Sequence, residues 1–275
     1  MDYSTGELVR RAAVEFRQKH DALDWSASVD DLIRLNGLDQ GSYGGIQGMV
    51  SAIGTTFRRL TSGVTKKVLA LFSMKESVIL VSNDLPEPKK PFAKGHELGH
   101  SVIEWHREIL YVCDEHDLAP GTRAQMEFEA NTFAAEVLCP RPLVQKVYAL
   151  FPTDMNTVIK LKEWSGASIE TCAQAYVDGH PGKVVLAWLD EEVGQGGSPI
   201  LKLTRKRLSG SAVGTALSTL TKNQVFDANH AMFTESRTRC MVQATSITIG
   251  DSPKRYRASV FNNGYRVMVL LVDES

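Results

Sequence analysis

Apolar positions in the first part of the chain repeat at helical spacing. Residues 5–37 place apolar side chains three or four residues apart, and Ser28 precedes the second run as a helix-start signal. Residues 41–82 change to short apolar runs separated by glycine, including 68–72 and 77–81, which are typical of strands. The pattern therefore predicts helices followed by a small sheet.

The middle of the chain returns to helical spacing, and the last third alternates. Residues 123–140 carry an apolar helical face that ends at Pro140, and residues 155–177 predict two short helices broken at Gly166. Four later segments alternate or run apolar as strands do, at residues 184–189, 200–204, 240–248 and 265–272. We predict an α+β chain with a mainly antiparallel C-terminal domain. The predicted domains span residues 1–145, 146–179 and 180–275.

The strongest chemical signal is the segment His-Glu-Leu-Gly-His at residues 96–100. In a helix, His96 and His100 lie on one face, where both imidazoles reach one cation. Glu97 lies one step round the helix, close to a water on that cation but turned away from direct ligation. This layout is typical of zinc hydrolases, with the glutamate as general base. The alternative is a helix with two surface histidines. We expect the small sheet to pack behind this helix.

Such a site needs a third protein ligand, and His106 is the first candidate. It has the spacing of the third histidine of metzincins, but Ile103 stands where those enzymes need the glycine that turns the chain back. A continuing helix would carry His106 about 9 Å along the axis from His100. We therefore do not expect His106 to bind the metal.

The helix predicted over residues 123–140 offers Glu127 and Glu129 as the other candidates. On a helix these two side chains point about 200° apart, so only one of them can face the metal. We prefer Glu127 because Asn131 follows one turn later on the same face, where it can orient a ligand histidine. Without the histidines upstream, both glutamates would be interpreted as the solvated flank of an amphipathic helix.

Two residues between these segments are candidates for polarising the scissile carbonyl. Tyr111 and His116 stand in or beside a polar stretch that ends at Gly121, which we expect near the cleft. Ordinary surface positions are the alternative interpretation for both.

Taken together, the two segments resemble the ImmA/IrrE metallo-endopeptidase family. Its members carry a His-Glu-x-x-His helix and then a Glu-x-x-x-Asn-x-Phe-Ala-Ala-Glu-Leu-Leu-x-Pro helix, which residues 127–140 match closely. The resemblance covers residues 69–142. It departs from the family pattern at Lys94, Gly95 and Cys139, none of which is a proposed ligand.

The resemblance implies a gluzincin-like zinc site, with His96, His100 and Glu127 as ligands and Glu97 as the base. It implies a limited cut in a helix-turn-helix repressor of the XRE-like type, which switches on stress, DNA-damage or mobile-element genes. Long members of the family carry a GAF-like sensor module after a helical segment, and the length after residue 180 matches one. The expected cofactor is Zn²⁺, with Mn²⁺ as the alternative.

Composition narrows the cellular setting. A chain of 275 residues with 43% hydrophobic content is long enough for two domains. Its four scattered cysteines have no Cys-x-x-Cys spacing, which fits a reducing cytoplasm better than a disulfide framework. No stretch approaches membrane-spanning length, and the start has no signal-peptide pattern. We therefore expect a cytoplasmic protein that does not contact a membrane.

Charge is unevenly spread along the chain. Residues 200–275 hold eleven Lys or Arg against five Asp or Glu, a net +6, which leaves −7 for residues 1–199 of a chain whose total is −1. This basic segment is a candidate surface for nucleic acid, a small-molecule signal or an acidic partner, although a solvated basic face is the commoner interpretation.

The turn at Gly166 resembles a helix-turn-helix. The helix that follows contains Glu170 and no Lys or Arg, so we interpret it as a packing module rather than a DNA reader. Two alternatives to a peptidase stay open. One is a binding protein with a structural or vestigial metal site, and the other is a DNA-binding regulator.

Overall fold

A computed structural model of the chain describes residues 3–44, 70–73, 77–112, 119–249 and 254–274. The chain divides into two compact units, one within Met1–Leu143 and Glu163–Ser168, the other within Val144–Lys162 and Ile169–Ser275. The fold is of the predicted α+β class, with helices and strands in both units.

The first unit combines helices with a small sheet. Its helices run over Tyr3–Lys19 (α1), Val29–Leu35 (α2), Lys90–Val102 (α3), Glu104–Val112 (α4) and Pro120–Leu138 (α5). Its strands run over Asp39–Tyr43 (β1), Ala70–Ser73 (β2) and Val78–Ser82 (β3). The strand order is β1-β3-β2, with β1 parallel and β2 antiparallel to β3. The sheet packs against α3, as the sequence predicted.

Two side-chain contacts fix the position of the helix α3 against α2. In the second turn of α3, Lys94 Nζ lies 2.6 Å from a carboxylate oxygen of Asp30. Near the C-terminal end of α3, Asn36 donates its side-chain amide to the hydroxyl of Ser101 over 3.1 Å. The start of α2 is fixed in turn by a capping box at Ser28, the helix-start signal in the sequence.

The helices α3 and α5 approach closely because small residues face each other at their crossing. A Cβ atom added at Gly99 would lie 3.2 Å from Phe133 and 3.3 Å from the Cα of Ala130. One added at Gly95 would lie 3.3 Å from the Cα of Ala134. Larger residues at either glycine would therefore separate the two helices that carry the predicted metal ligands.

We expect Gly99→Val to destabilise the protein by about 1–3 kcal/mol, the usual cost of overpacking a filled interior. Urea unfolding followed by circular dichroism measures this change. The matched control is Gly121→Ala in the first turn of α5, where an added Cβ meets nothing within 4 Å. Equal stabilities for wild type and Gly99→Val would contradict the close packing of α3 on α5.

The second unit contains a six-stranded antiparallel sheet. Its strands are Lys183–Val193 (β4), Pro199–Leu208 (β5), Val225–Phe226 (β6), Val242–Thr248 (β7), Arg255–Asn262 (β8) and Val267–Asp273 (β9). Their order is β6-β5-β4-β9-β8-β7. The predicted antiparallel character of the C-terminal region is confirmed. The four predicted strands correspond to β4, β5, β7 and β9, although the predictions for β7 and β9 begin two residues too early.

Helices complete the second unit. They are most of Arg141–Leu150 (α6) and of Met155–Ser165 (α7), with Ile169–Asp178 (α8) and Ala231–Ser236 (α9). Alternate residues of β4, such as Val185 and Leu189, pack in a core with Met232 and Phe233 of α9. The predicted break between α7 and α8 occurs at Gly166, whose φ of +66° favours glycine.

Candidate metal centre

The three predicted metal ligands lie at the crossing of α3 and α5. His96 and His100 are one turn apart on α3, on either side of Gly99 in sequence. Glu127 is on α5, one turn before Ala130. The close helix approach at Gly99 and Ala130 therefore holds the carboxylate beside both imidazoles.

The distances within this group suit a single cation. The Nε2 atoms of His96 and His100 are 3.2 Å apart. Glu127 places one carboxylate oxygen 3.5 Å from His96 Nε2 and the other 3.8 Å from His100 Nε2. Ligand atoms bound roughly 2.0–2.2 Å from one tetrahedral ion lie about 3.3–3.6 Å from each other. Among the residues that the structure describes, no other three His, Cys, Asp or Glu side chains bring their ligand atoms within 4.8 Å of one another.

Asn131 contacts the outer nitrogen of His96. Its side-chain oxygen lies 3.1 Å from His96 Nδ1, so His96 donates Nδ1–H and keeps a lone pair on Nε2. Nε2 is the atom that faces His100 and Glu127. The structure thus brings Asn131 to the position in which the sequence analysis expected an orienting group.

His106 lies beside His100, which corrects the assumption of a continuing helix. The helix α3 ends at Val102, and Ile103 has an extended ψ of 113° before α4 begins. This break turns the chain, so that Nδ1 of the fully buried His106 is 3.1 Å from Nδ1 of His100. His106 is outside the three-residue donor group, but it contacts one of its members.

Burial keeps these imidazoles neutral. Burial first, then the neighbouring His96 and His106, lowers the pKa of His100 to about 3. Burial and His96 lower the pKa of His106 to about 4. Neutral imidazole is the form that binds a metal ion, so His100 needs no deprotonation near pH 7.

Glu129 points away from the donor group, and it is buried. Its carboxylate accepts hydrogen bonds from Trp105 Nε1 over 2.8 Å and from Gln125 Nε2 over 2.6 Å. Nε2 of His106 lies 3.2 Å from the same carboxylate. Of the two candidate glutamates, the structure therefore brings Glu127, and not Glu129, to the histidine pair.

Glu97 is nine-tenths buried on α3, adjacent to His96. Burial raises the pKa of Tyr43, and the negative charges of Glu97 and Asp84 raise it further. Of the two carbonyl-polarising candidates, the backbone of Tyr111 is in α4, whereas its side chain and all of His116 lie outside the described residues.

Much of the positive charge of the second unit is paired within that unit. The cations and their acidic partners are Arg205 with Glu170, Arg207 with Asp178, Lys202 with Glu192, Arg237 with Glu191, Arg266 with Asp190, Arg257 with Glu274, and Lys254 with Asp273. The first two pairs join α8, the helix that the sequence analysis interpreted as a packing module, to the strand β5. Through these contacts α8 packs on the sheet.

Comparison with known proteins agrees with the two-segment pattern. The family model of the IrrE N-terminal-like domain, peptidase family M78, matches residues 50–175. This segment belongs to the ImmA/IrrE family. The IrrE N-terminal-like domain therefore contains both helices of the candidate metal centre. The family is one of metallopeptidases, which implies a divalent metal, and the His-His-Glu group supplies suitable donors.

One relative and one solved structure extend the comparison. The radiation response metalloprotease IrrE of Deinococcus radiodurans is 25% identical over 118 residues, which cover 42% of this chain and 35% of the relative. The match thus spans about a third of that protein's length. A Mycobacterium tuberculosis transcriptional regulator is similar with a TM-score of 0.58 and 12% identity, over 97% of this chain and 76% of that one. At this identity the second similarity concerns the fold alone.

Among the described residues, no helix combines the length and the apolar character that crossing a bilayer requires.

Proposed function

We propose that this protein is a zinc-dependent endopeptidase that makes a limited cut in a helix-turn-helix transcriptional repressor of the XRE-like type. The cut would release genes of a stress, DNA-damage or mobile-element response. The observation that carries the proposal is the donor group of His96, His100 and Glu127, with nitrogen and oxygen atoms 3.2–3.8 Å apart beside a buried Glu97.

The metal would be held by Nε2 of His96, Nε2 of His100 and a carboxylate oxygen of Glu127. Two imidazoles and one carboxylate are a donor set that zinc peptidases use, and Mn²⁺ is the second choice. When bound, the ion supplies Lewis acidity, which polarises a carbonyl and makes a water molecule acidic enough to lose a proton near neutral pH.

Glu97 would move the proton. Its carboxylate takes a proton from the attacking water as the bond between the water oxygen and the carbonyl carbon forms. It then delivers that proton to the amine nitrogen as the carbon–nitrogen bond breaks, which gives a carboxylic acid and an amine. Asn131 would keep His96 oriented during these steps. Tyr111 and His116 remain candidates for polarising the carbonyl.

The regulatory setting is proposed from the relatives. The curated relative is named for a radiation response, and the similar solved structure is named a transcriptional regulator. We assign the peptidase to residues 1–145, a helical linker to 146–179, most of which lies in the second compact unit, and a GAF-like sensor to 180–275. The sensor would bind a small molecule, nucleic acid or an acidic partner in the cytoplasm, and the peptidase site would be gluzincin-like.

The test is co-expression of the full chain with a helix-turn-helix repressor encoded beside it, with and without DNA damage. We expect one pair of repressor fragments whose masses add up to the intact repressor plus one water. A His100→Ala variant is the control and should leave the repressor intact. An intact repressor beside wild-type protein that contains metal, in both conditions, would contradict the proposed substrate.

A further inference from the structure

A chain of buried polar contacts runs from Glu129 to the back of His100. The carboxylate of Glu129 is 3.2 Å from Nε2 of His106, and Nδ1 of His106 is 3.1 Å from Nδ1 of His100. Trp105 and Gln125 also donate to Glu129, over 2.8 and 2.6 Å. Glu129 and His106 have exposed fractions of 1% and 0%.

The protons in this chain can be assigned from its carboxylate end. A carboxylate only accepts, so His106 must donate from Nε2. A neutral imidazole then has a lone pair at Nδ1, which accepts Nδ1–H from His100. His100 is left with its own lone pair on Nε2, the atom 3.2 Å from His96 Nε2 and 3.8 Å from Glu127. The contacts therefore select the form of His100 that can bind an ion in the donor group.

Stability alone is a weak reason for such a buried arrangement. Removing a carboxylate and an imidazole from water costs free energy that their attraction often fails to recover, and apolar residues of similar size frequently pack as well or better. What hydrogen bonds add over apolar packing is a fixed orientation and a fixed tautomer. The other histidine, His96, has the exposed amide of Asn131 in the corresponding place.

We propose that Glu129 and His106 are positioning residues of the metal centre, which hold His100 with its proton on Nδ1 and its Nε2 open to the ion. This inference rests on the proposed metal site. Neither Glu129 nor His106 belongs to the donor group, and both act on the ion through His100. Outer hydrogen-bond partners of ligand histidines commonly change metal affinity 10–100-fold.

The first experiment measures zinc affinity of the full chain by competition with a chromophoric chelator. We expect Glu129→Gln and His106→Phe to weaken binding by about 10–100-fold. His106→Asn should lose less than His106→Phe, because the amide oxygen can still accept Nδ1–H of His100. Glu136→Gln, another buried glutamate on α5, whose carboxylate accepts from the backbone N–H of Arg141 over 2.7 Å, is the matched control and should keep the wild-type affinity.

The second experiment reads the tautomer directly. Imidazole ¹⁵N NMR of the metal-free wild-type protein should show His100 protonated at Nδ1. In His106→Phe the signal should move towards a mixture of tautomers. This readout is independent of peptide cleavage, and the wild-type measurement stands even if a variant does not fold.

The outcomes separate this inference from the proposed function. If His96→Ala binds zinc as tightly as the wild type, the metal site itself, and with it the peptidase proposal, is wrong. If His96→Ala loses zinc while Glu129→Gln and His106→Phe keep it, only the positioning role is wrong. An Nε2-protonated His100 in the wild-type protein would overturn the positioning role too, as would an equal loss in Glu136→Gln.

Discussion

Replacement of Glu97 by glutamine is expected to abolish peptide hydrolysis while zinc stays bound. The amide has nearly the same shape as the carboxylate but cannot take a proton from water, and Glu97 is not in the donor group of His96, His100 and Glu127. General acid–base catalysis contributes at least about a hundredfold to rate, so the loss should be at least that large. Fragment formation from the repressor measures activity, and metal analysis of the same preparation measures zinc.

The control for this variant is Glu108→Gln on α4, an exposed glutamate that should leave cleavage unchanged. Wild-type cleavage by Glu97→Gln with its zinc in place would refute the base assignment. Loss of both zinc and cleavage would show instead that Glu97 supports the metal site, and the base would have to be sought elsewhere.

The donor group could be predicted because its members obey local helix geometry. His96 and His100 are four residues apart, and so are Glu127 and Asn131, so each pair shares one helix face whatever the rest of the fold does. The prediction that the two helices meet needed only enough residues between His100 and Glu127 for a loop and a second helix that packs back on the first. Gly95 and Gly99 explain how close the helices come. From the sequence, Gly95 was only a departure from the family pattern, and Gly99 had no assigned role.

The chain from Glu129 to His106 could not be predicted in the same way. It depends on the helix ending at Val102, and the following Ile103 carries neither the glycine nor the proline that usually marks such an end. Helical spacing alone put His106 far from His100 and turned Glu129 away from the metal, without indicating which residues it would contact there. Tertiary packing buries both side chains. The sequence does not show which charged or titratable residues will be buried.

Sequence patterns also missed features of the second unit. The strand β8, Arg255–Asn262, was not predicted because two arginines flank its tyrosine and only Val260 and Phe261 form an apolar run. It nevertheless pairs with β7 and β9 in the sheet. The basic composition of residues 200–275 is likewise no guide to a free cationic surface, since partners such as Glu170 and Asp178 come from the preceding helix.

Removal of the Glu127 carboxylate should be the most damaging change to metal binding on α5. Glu127→Ala leaves two imidazoles, whose lone pairs would still meet an ion but without the neutralising charge or the third point of attachment. Since even residues behind a ligand alter affinity 10–100-fold, we expect a loss of at least about a hundredfold, measured by chelator competition.

The side chain of Glu127 is 46% exposed, so its removal leaves little cavity, and the thermal stability of the metal-free protein should change little. Glu15→Ala, which removes an exposed glutamate on α1, is the matched control for the loss of one negative surface charge and should bind zinc as the wild type does. If both variants bound zinc equally well, the third ligand would have to come from another residue. Glu129 would then be no substitute, because its oxygens are already held by Trp105 and Gln125.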